Sequence, residues 1–130
     1  MVCVKYTGEA LQRALSMNNR AAGNTGENMA AMYLRLRMYK ILERNYYSPV
    51  GEIDIIAKKG ETYIFLEVKY RRDASKGLPR EAVNIYKQNK IRRTAQHYLA
   101  ANNINEYNTD IRFDVIEILG KEIRHLKAAF

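Results

Sequence analysis

The sequence predicts an α/β domain, a mixed β-sheet flanked by helices, in the order helix, three strands, helix, strand. Three observations predict it. Segments of helical periodicity at 27–38 and 84–101 enclose a series of strand-like segments. The strand at Thr62–Arg71 is apolar on both sides at its start, through Tyr63, Ile64, Phe65 and Leu66, as expected of a strand covered on both faces. The long helix after it allows a crossover that sets the last strand, 112–119, parallel to it. With 130 residues the chain supports one core, not two.

Each element has its own signature. Residues 1–22 read as an N-terminal extension with a short or mobile helix, since Leu11 and Leu15 are four apart before Asn18, Asn19 and Gly23 interrupt. The main domain then runs over 23–130. Asn24 and Thr25 are N-cap candidates, and Ala30, Ala31, Leu34 and Met38 share one helical face. Residues 41–47 read as a weak strand ended by Pro49 and Gly51, and 52–58 as a strong one with three Ile residues. Lys59-Gly60 is the expected turn, which sets Asp54 opposite Phe65. The segment 73–79, with Gly77, reads as a loop. The second helix presents Ile91, Ala95, Tyr98 and Leu99 on one face and stops at Asn102-Asn103. Residues 122–126 are expected to turn back along a sheet edge.

Composition narrows the function classes. Lys and Arg number 22 against 14 Asp and Glu, for a net charge of +8, so polyanions are the first partners to consider. No apolar run approaches the roughly 20 residues of a membrane span, and the N-terminus lacks a secretory core. One cysteine, Cys3, cannot form an internal disulfide, so a cytoplasmic setting is expected. No phosphate-binding Gly-rich loop or nucleophile elbow is present, and His97 and His125 lie far apart in sequence without Cys partners. His97 is expected to flank the helix core, and His125 the C-terminal edge.

The informative residues are carboxylates in costly places. Asp54 lies mid-strand between Ile53 and Ile55, and Glu67 repeats the oddity one strand later. Strand parity puts Asp54 on the face that carries Glu67 and Lys69. Two carboxylates and an ammonium in one patch suit a hard divalent cation such as Mg²⁺ or Mn²⁺, with Lys69 able to orient a water or offset charge on a phosphate. The bland alternative is a salt-bridge cluster on a half-exposed sheet face. Glu27 is in register with the apolar stripe of the first helix and could point toward this patch; Asn24-x-x-Glu27 also fits a capping box.

The positive charge is concentrated. From Lys69 to Arg93 nine basic residues face only Asp73 and Glu81, a net +7. Arg71, Arg72, Lys76, Arg80, Lys87, Lys90 and Arg93 are the expected phosphate contacts of a nucleic acid. Tyr70 and Tyr86 sit within this stretch, where one tyrosine at each end reads more readily as packing than as base stacking.

Gly26-Glu27, the segment 51–57 (GEIDIIA), the segment 65–71 (FLEVKYR), Lys87-Gln88 and the segment 112–115 (RFDV) together resemble the YraN-like family of endonuclease-type proteins. That family is related to Holliday junction resolvases within the PD-(D/E)xK, restriction-endonuclease-like superfamily, and the similarity covers about 23–119. Two departures are Ile53, which stands where the superfamily name has proline, and Met38, which stands where a helix-ending glycine is expected. The resemblance implies a restriction-endonuclease-like fold, with Asp54, Glu67 and Lys69 catalytic and Glu27, Asp54 and Glu67 holding Mg²⁺ or Mn²⁺. It implies metal-dependent hydrolysis of DNA phosphodiesters, with branched or otherwise structured DNA among the substrates and a homodimer among the assemblies. A non-catalytic nucleic-acid-binding or scaffold protein that keeps the fold is the alternative.

Overall fold

The computed structural model describes residues 2–7, 25–71, 83–120 and 122–130. Among them, one sheet of six strands carries a helix on each face. The elements are β1 (Val2–Thr7), α1 (Thr25–Leu36), β2 (Lys40–Ser48), β3 (Gly51–Lys59), β4 (Thr62–Arg71), α2 (Ile85–Ala101), β5 (Ile111–Leu119) and β6 (Glu122–Lys127). Their order across the sheet is β1-β6-β5-β4-β3-β2. β4 and β5 are parallel, in register from Tyr63↔Ile111 to Arg71↔Leu119, and the remaining neighbours are antiparallel. The α2 crossover thus does what its length predicts.

Both helices bury the stripes that their sequences carry. On one face, Ala30, Ala31 and Leu34 of α1 pack on Ile55, Ala57, Ile64, Leu66, Ile116 and Ile118. On the other, Ile91, Ala95, Tyr98 and Leu99 of α2 pack on Ile53, Ile56, Phe65 and Val115. Each fully buried Ile, Leu or Phe contributes roughly 1.5–3 kcal/mol relative to exposure. β4 is covered by both layers, so its central residues are apolar on either side.

The sheet corrects several expectations. Residues 2–7, read as part of an extension, form an edge strand antiparallel to β6, so β6 is interior to the sheet. The run VCVKYT is rich in β-formers but too short to identify itself without its partner. The helix expected at 8–17 lies outside the described residues, as does the 73–79 loop. The β3–β4 turn falls one residue later than expected: Lys59 pairs with Thr62, and Gly60 (φ 59°) takes the first loop position, because glycine adopts positive φ without a Cβ clash. Asp54 is therefore not opposite Phe65, which pairs with Ile56.

α1 also ends earlier than its apolar spacing suggests. Tyr39 N–H bonds Leu34 O at 2.9 Å and Met38 N–H bonds Arg35 O at 3.0 Å, a Schellman closure that puts Met38 at φ 69° and leaves it 82% exposed. α2 closes the same way, with Asn103 at φ 56° and Ile104 N–H bonded to Leu99 O, so Asn102-Asn103 acts as the stop. Its start is capped by Asn84, whose Oδ1 accepts Lys87 N–H at 2.9 Å.

Candidate metal and phosphate site

The register between β3 and β4 ends at Ile55↔Leu66. Beyond it β3 continues beside β2, with Tyr46↔Ile53 and Tyr47↔Glu52. The next β4 amide facing β3, Val68 N–H, is taken instead by a side chain: Asp54 Oδ2 accepts it at 2.8 Å. A carboxylate thus replaces a strand carbonyl at the seam, which explains how an acid fits between two buried isoleucines. Continued one step, the same register brings Asp54 across from Glu67.

The surroundings of Asp54 act strongly on it. Burial, then the Glu67 charge, pushes the Asp54 carboxyl from 3.8 up to about 7, with a smaller push from Glu27, while the Val68 N–H works in the opposite direction. Glu67 is 5% exposed, and its Oε1 receives two ammonium groups, Lys87 Nζ at 2.8 Å and Lys69 Nζ at 3.5 Å. Lys69 reaches it because i and i+2 share a strand face. Lys87 arrives from the first turn of α2. On Lys87, burial favours the neutral form, but the hydrogen bond to Glu67 and the charges of Glu67, Asp54 and Glu52 outweigh it and raise the pKa.

Glu27 is 2% exposed, but its carboxylate is engaged elsewhere. Arg44 Nε donates to Oε1 at 3.1 Å and Asn45 Nδ2 at 2.9 Å, while Arg44 Nη2 also donates to Asn28 Oδ1 at 2.6 Å. Asn45 sits at φ 51°, a conformation Asn tolerates better than other non-glycine residues. The close approach of α1 to β4 depends on Gly26, since a Cβ there would stand 2.9 Å from Tyr70 Cβ. Among the described residues, no group of three His, Cys, Asp or Glu side chains is arranged to hold a metal ion.

The expected phosphate contacts divide. Lys87, Lys90 and Arg93 lie on α2, with Lys90 and Arg93 exposed and Lys87 turned to Glu67. Arg72, Lys76 and Arg80, and the side chain of Arg71, lie outside what the structure describes. Tyr70 and Tyr86, read as packing, are 51% and 67% exposed.

Sequence reading missed the contact of Lys87 with Glu67, and it missed Arg44 and Asn45. Asn in a strand was the only local signal. It also misplaced His125, which is fully buried rather than at an edge. Its Nε2 is 2.7 Å from Asp114 Oδ2 and its Nδ1 3.0 Å from Tyr33 OH. Arg112 holds the same carboxylate through Nε at 2.8 Å and Nη2 at 2.9 Å, and Ala128 N–H adds a third donor at 2.9 Å. This network ties α1, β5 and β6 together. His97 is exposed, its Nδ1 2.7 Å from Tyr46 OH.

No described helix is long and apolar enough to cross a membrane. A UPF0102 protein of Lachnoclostridium phytofermentans is 47% identical over 114 residues, covering 88% of this chain and 96% of its own. One from Clostridioides difficile is 48% identical over 116 residues, covering 88% and 100%. One from Acetivibrio thermocellus is 46% identical over 123 residues, covering 87% and 93%. The profile of the same family matches residues 26–118, the span that holds both helices, the seam and all three acids. The chain belongs to the uncharacterised protein family UPF0102.

Proposed function

We propose that this protein is a divalent-metal-dependent endonuclease that hydrolyses phosphodiester bonds in DNA, related to the PD-(D/E)xK nucleases and Holliday junction resolvases. The observation that carries this reading is the Asp54–Glu67 pair, two carboxylates pressed together at a strand seam with Lys69 and Lys87 beside them. A buried carboxylate whose proton affinity is raised by a second carboxylate beside it is a poor salt-bridge design and a good cation site.

The donor set fits Mg²⁺ or Mn²⁺, which is commonly held by one or two carboxylates and completed by waters and substrate phosphate. Asp54 and Glu67 would hold it, and when bound it supplies Lewis-acid polarisation of the phosphate. Asp54 is fixed for this by the Val68 N–H. Lys69 orients the attacking water and offsets charge developing on the phosphate, and Lys87 adds a second positive charge on the α2 side. Glu27 contributes negative charge from α1 while Arg44 and Asn45 hold it in place.

The test is cleavage of labelled branched, flapped, single-stranded and linear DNA with Mg²⁺ or Mn²⁺. Cleavage by the parent protein that disappears in Asp54→Ala and in Glu67→Ala is the expected result. Undiminished cleavage in either variant overturns the site. A second reading, a nucleic-acid-binding scaffold without catalysis, is favoured by one observation, the engagement of Glu27 with Arg44 and Asn45. It requires DNA binding that depends on salt but not on metal, with no product from any substrate.

A further inference from the structure

A cleft of about 310 Å³ opens on the α2 face of the sheet, between α2, the first residues of β5 and the segment Ala128–Phe130. It is separate from the acid pair. Its β5 wall begins at Ile111, which pairs with Tyr63, four residues before Glu67 and so roughly 13 Å from it along β4.

The floor of the cleft is apolar. Leu99, Ile111 and Phe113 form it, and Phe130 closes one side with its ring stacked on that of Phe113, centroids 5.3 Å apart and planes 22° from parallel. Ala129 N–H donates to Phe113 O at 2.8 Å and so fixes the backbone that carries Phe130. Arg92 lies over both rings, its guanidinium carbon 4.9 Å from the centroid of Phe113 and 5.3 Å from that of Phe130. Such stacking engages the flat face of a guanidinium and leaves its edge N–H groups to donate.

The polar rim is incomplete. Glu106, in the short 3-10 turn Glu106–Asn108, lines the same cleft, and among the described residues its carboxylate has one side-chain partner, Gln96 Nε2 at 3.4 Å. That is longer than an ordinary N–H···O bond of about 2.7–3.2 Å. Arg92 makes no ion pair among the described residues. A guanidinium and a carboxylate thus line one cleft without closing on each other.

A ligand that bridges them offers acceptors to Arg92, donors to Glu106 and a flat body to the phenylalanine rings. Guanine carries this set, since O6 and N7 accept from an arginine fork while N1–H and the N2 amino group together donate to a carboxylate. Adenine and cytosine offer a carboxylate one amino group with no second donor beside it. The volume lies at the small end of ligand pockets and suits one nucleoside. The helix adds the charge for a phosphate: α2 carries Lys87, Lys90, Arg92 and Arg93 and no acidic residue. We propose that this cleft binds a guanine base bearing a phosphate, free or within a nucleic-acid strand, with Glu106 and Arg92 reading its two edges. The site goes beyond the endonuclease reading and does not depend on it.

Calorimetric titration of the full-length protein in EDTA tests this with guanosine 5′-monophosphate, adenosine 5′-monophosphate, inorganic phosphate and phenylalanine. The last is included because a zwitterion also offers one charge to each of Arg92 and Glu106. Saturable binding of one guanosine monophosphate per chain is expected, about fivefold or more tighter than the adenosine compound, with no saturation by phosphate or phenylalanine. Glu106→Gln keeps the side-chain volume in an exposed turn, and should weaken the guanosine compound roughly five- to hundredfold while leaving the adenosine compound unchanged, the range of one bidentate base contact. Arg92→Met should weaken the guanosine compound as well, with the urea midpoint reporting whether the fold is kept. Equal affinity for the two nucleotides, a Glu106→Gln protein that binds as the parent does, saturable binding of phenylalanine, or no binding of guanosine monophosphate would each overturn the proposal. A nine-nucleotide oligo(dT) and the same strand with one central guanine separate the sources. Tighter binding of the guanine strand, displaced by guanosine monophosphate, supports a base presented by a strand; equal binding of the two strands beside saturable guanosine monophosphate supports a free nucleotide. Because binding is read without metal, a failure to cleave DNA counts against the endonuclease alone.

Discussion

Lys87 Nζ lies 2.8 Å from Glu67 Oε1, closer than the 3.5 Å of Lys69, the lysine that shares a strand with that glutamate. The crossover helix α2 thus delivers a cation to the acid pair on β3 and β4. It does so from its first turn, where the Asn84 cap fixes the backbone of Lys87.

An ammonium on Glu67 competes with a metal ion for the same oxygen. Lys87→Met should therefore strengthen Mn²⁺ binding to the DNA-free protein. The side chain is 39% exposed, so the ion pair is worth at most about 1 kcal/mol, or roughly fivefold in affinity. Calorimetric titration with Mn²⁺ checks this, and unchanged or weaker binding would remove Lys87 from the site. DNA binding should weaken in the same variant, since one positive charge beside the acid pair is lost.

Asp54, raised to about 7 in the folded protein, binds a proton that the unfolded chain releases near pH 4. Between about pH 4 and 7 the folded state holds more protons than the unfolded state, so this group's contribution to stability falls as pH rises through that window. Asp54→Asn, which keeps an oxygen for the Val68 N–H, should flatten the slope. The variant should match the parent near pH 5 and exceed it at pH 8 by on the order of 2 kcal/mol in urea unfolding. Equal stability of the two proteins at pH 8 would contradict the raised pKa.

Asp114 behaves in the opposite sense. Burial alone would raise its pKa, but hydrogen bonds from His125, Arg112 and the Ala128 N–H outweigh it and hold the carboxyl below the usual range. Its contribution is present above about pH 4 and is lost as pH falls through the folded-state pKa. Asp114→Ala strands Arg112 and the buried His125, and should cost about 3–5 kcal/mol in denaturant unfolding at neutral pH. A loss under 1 kcal/mol would show that the network is not what joins α1 to β5 and β6.

Met38 is the fourth test. A non-glycine residue in the left-handed region costs roughly 1–2 kcal/mol, and glycine gives back about 0.5–1 of that through its unfolded-state entropy. At 82% exposure Met38 has little burial to lose. Met38→Gly should raise stability by about 0.5–1 kcal/mol, seen as a higher urea midpoint with unchanged slope. A lower midpoint would mean that the methionine makes a contact outweighing its strain.

The parts of this protein fixed by local pattern were legible in its sequence. The stripes of α1 and α2, the doubly apolar β4, the parallel β4–β5 pair and the Asn102-Asn103 stop all follow from periodicity, propensity and chain length. So did the convergence of Asp54 and Glu67, because strand parity survives a one-residue error in the turn. Long-range relationships were not legible. VCVKYT became a strand only because β6 offered an edge, His125 was buried because Tyr33 of α1 and Asp114 of β5 close over it, and Glu27 met Arg44 and Asn45 only where α1 lies against β2. A period of two or 3.6 tells a side chain which face it occupies. Which residue waits on that face depends on partners tens of positions away, and only the packed sheet brings them together.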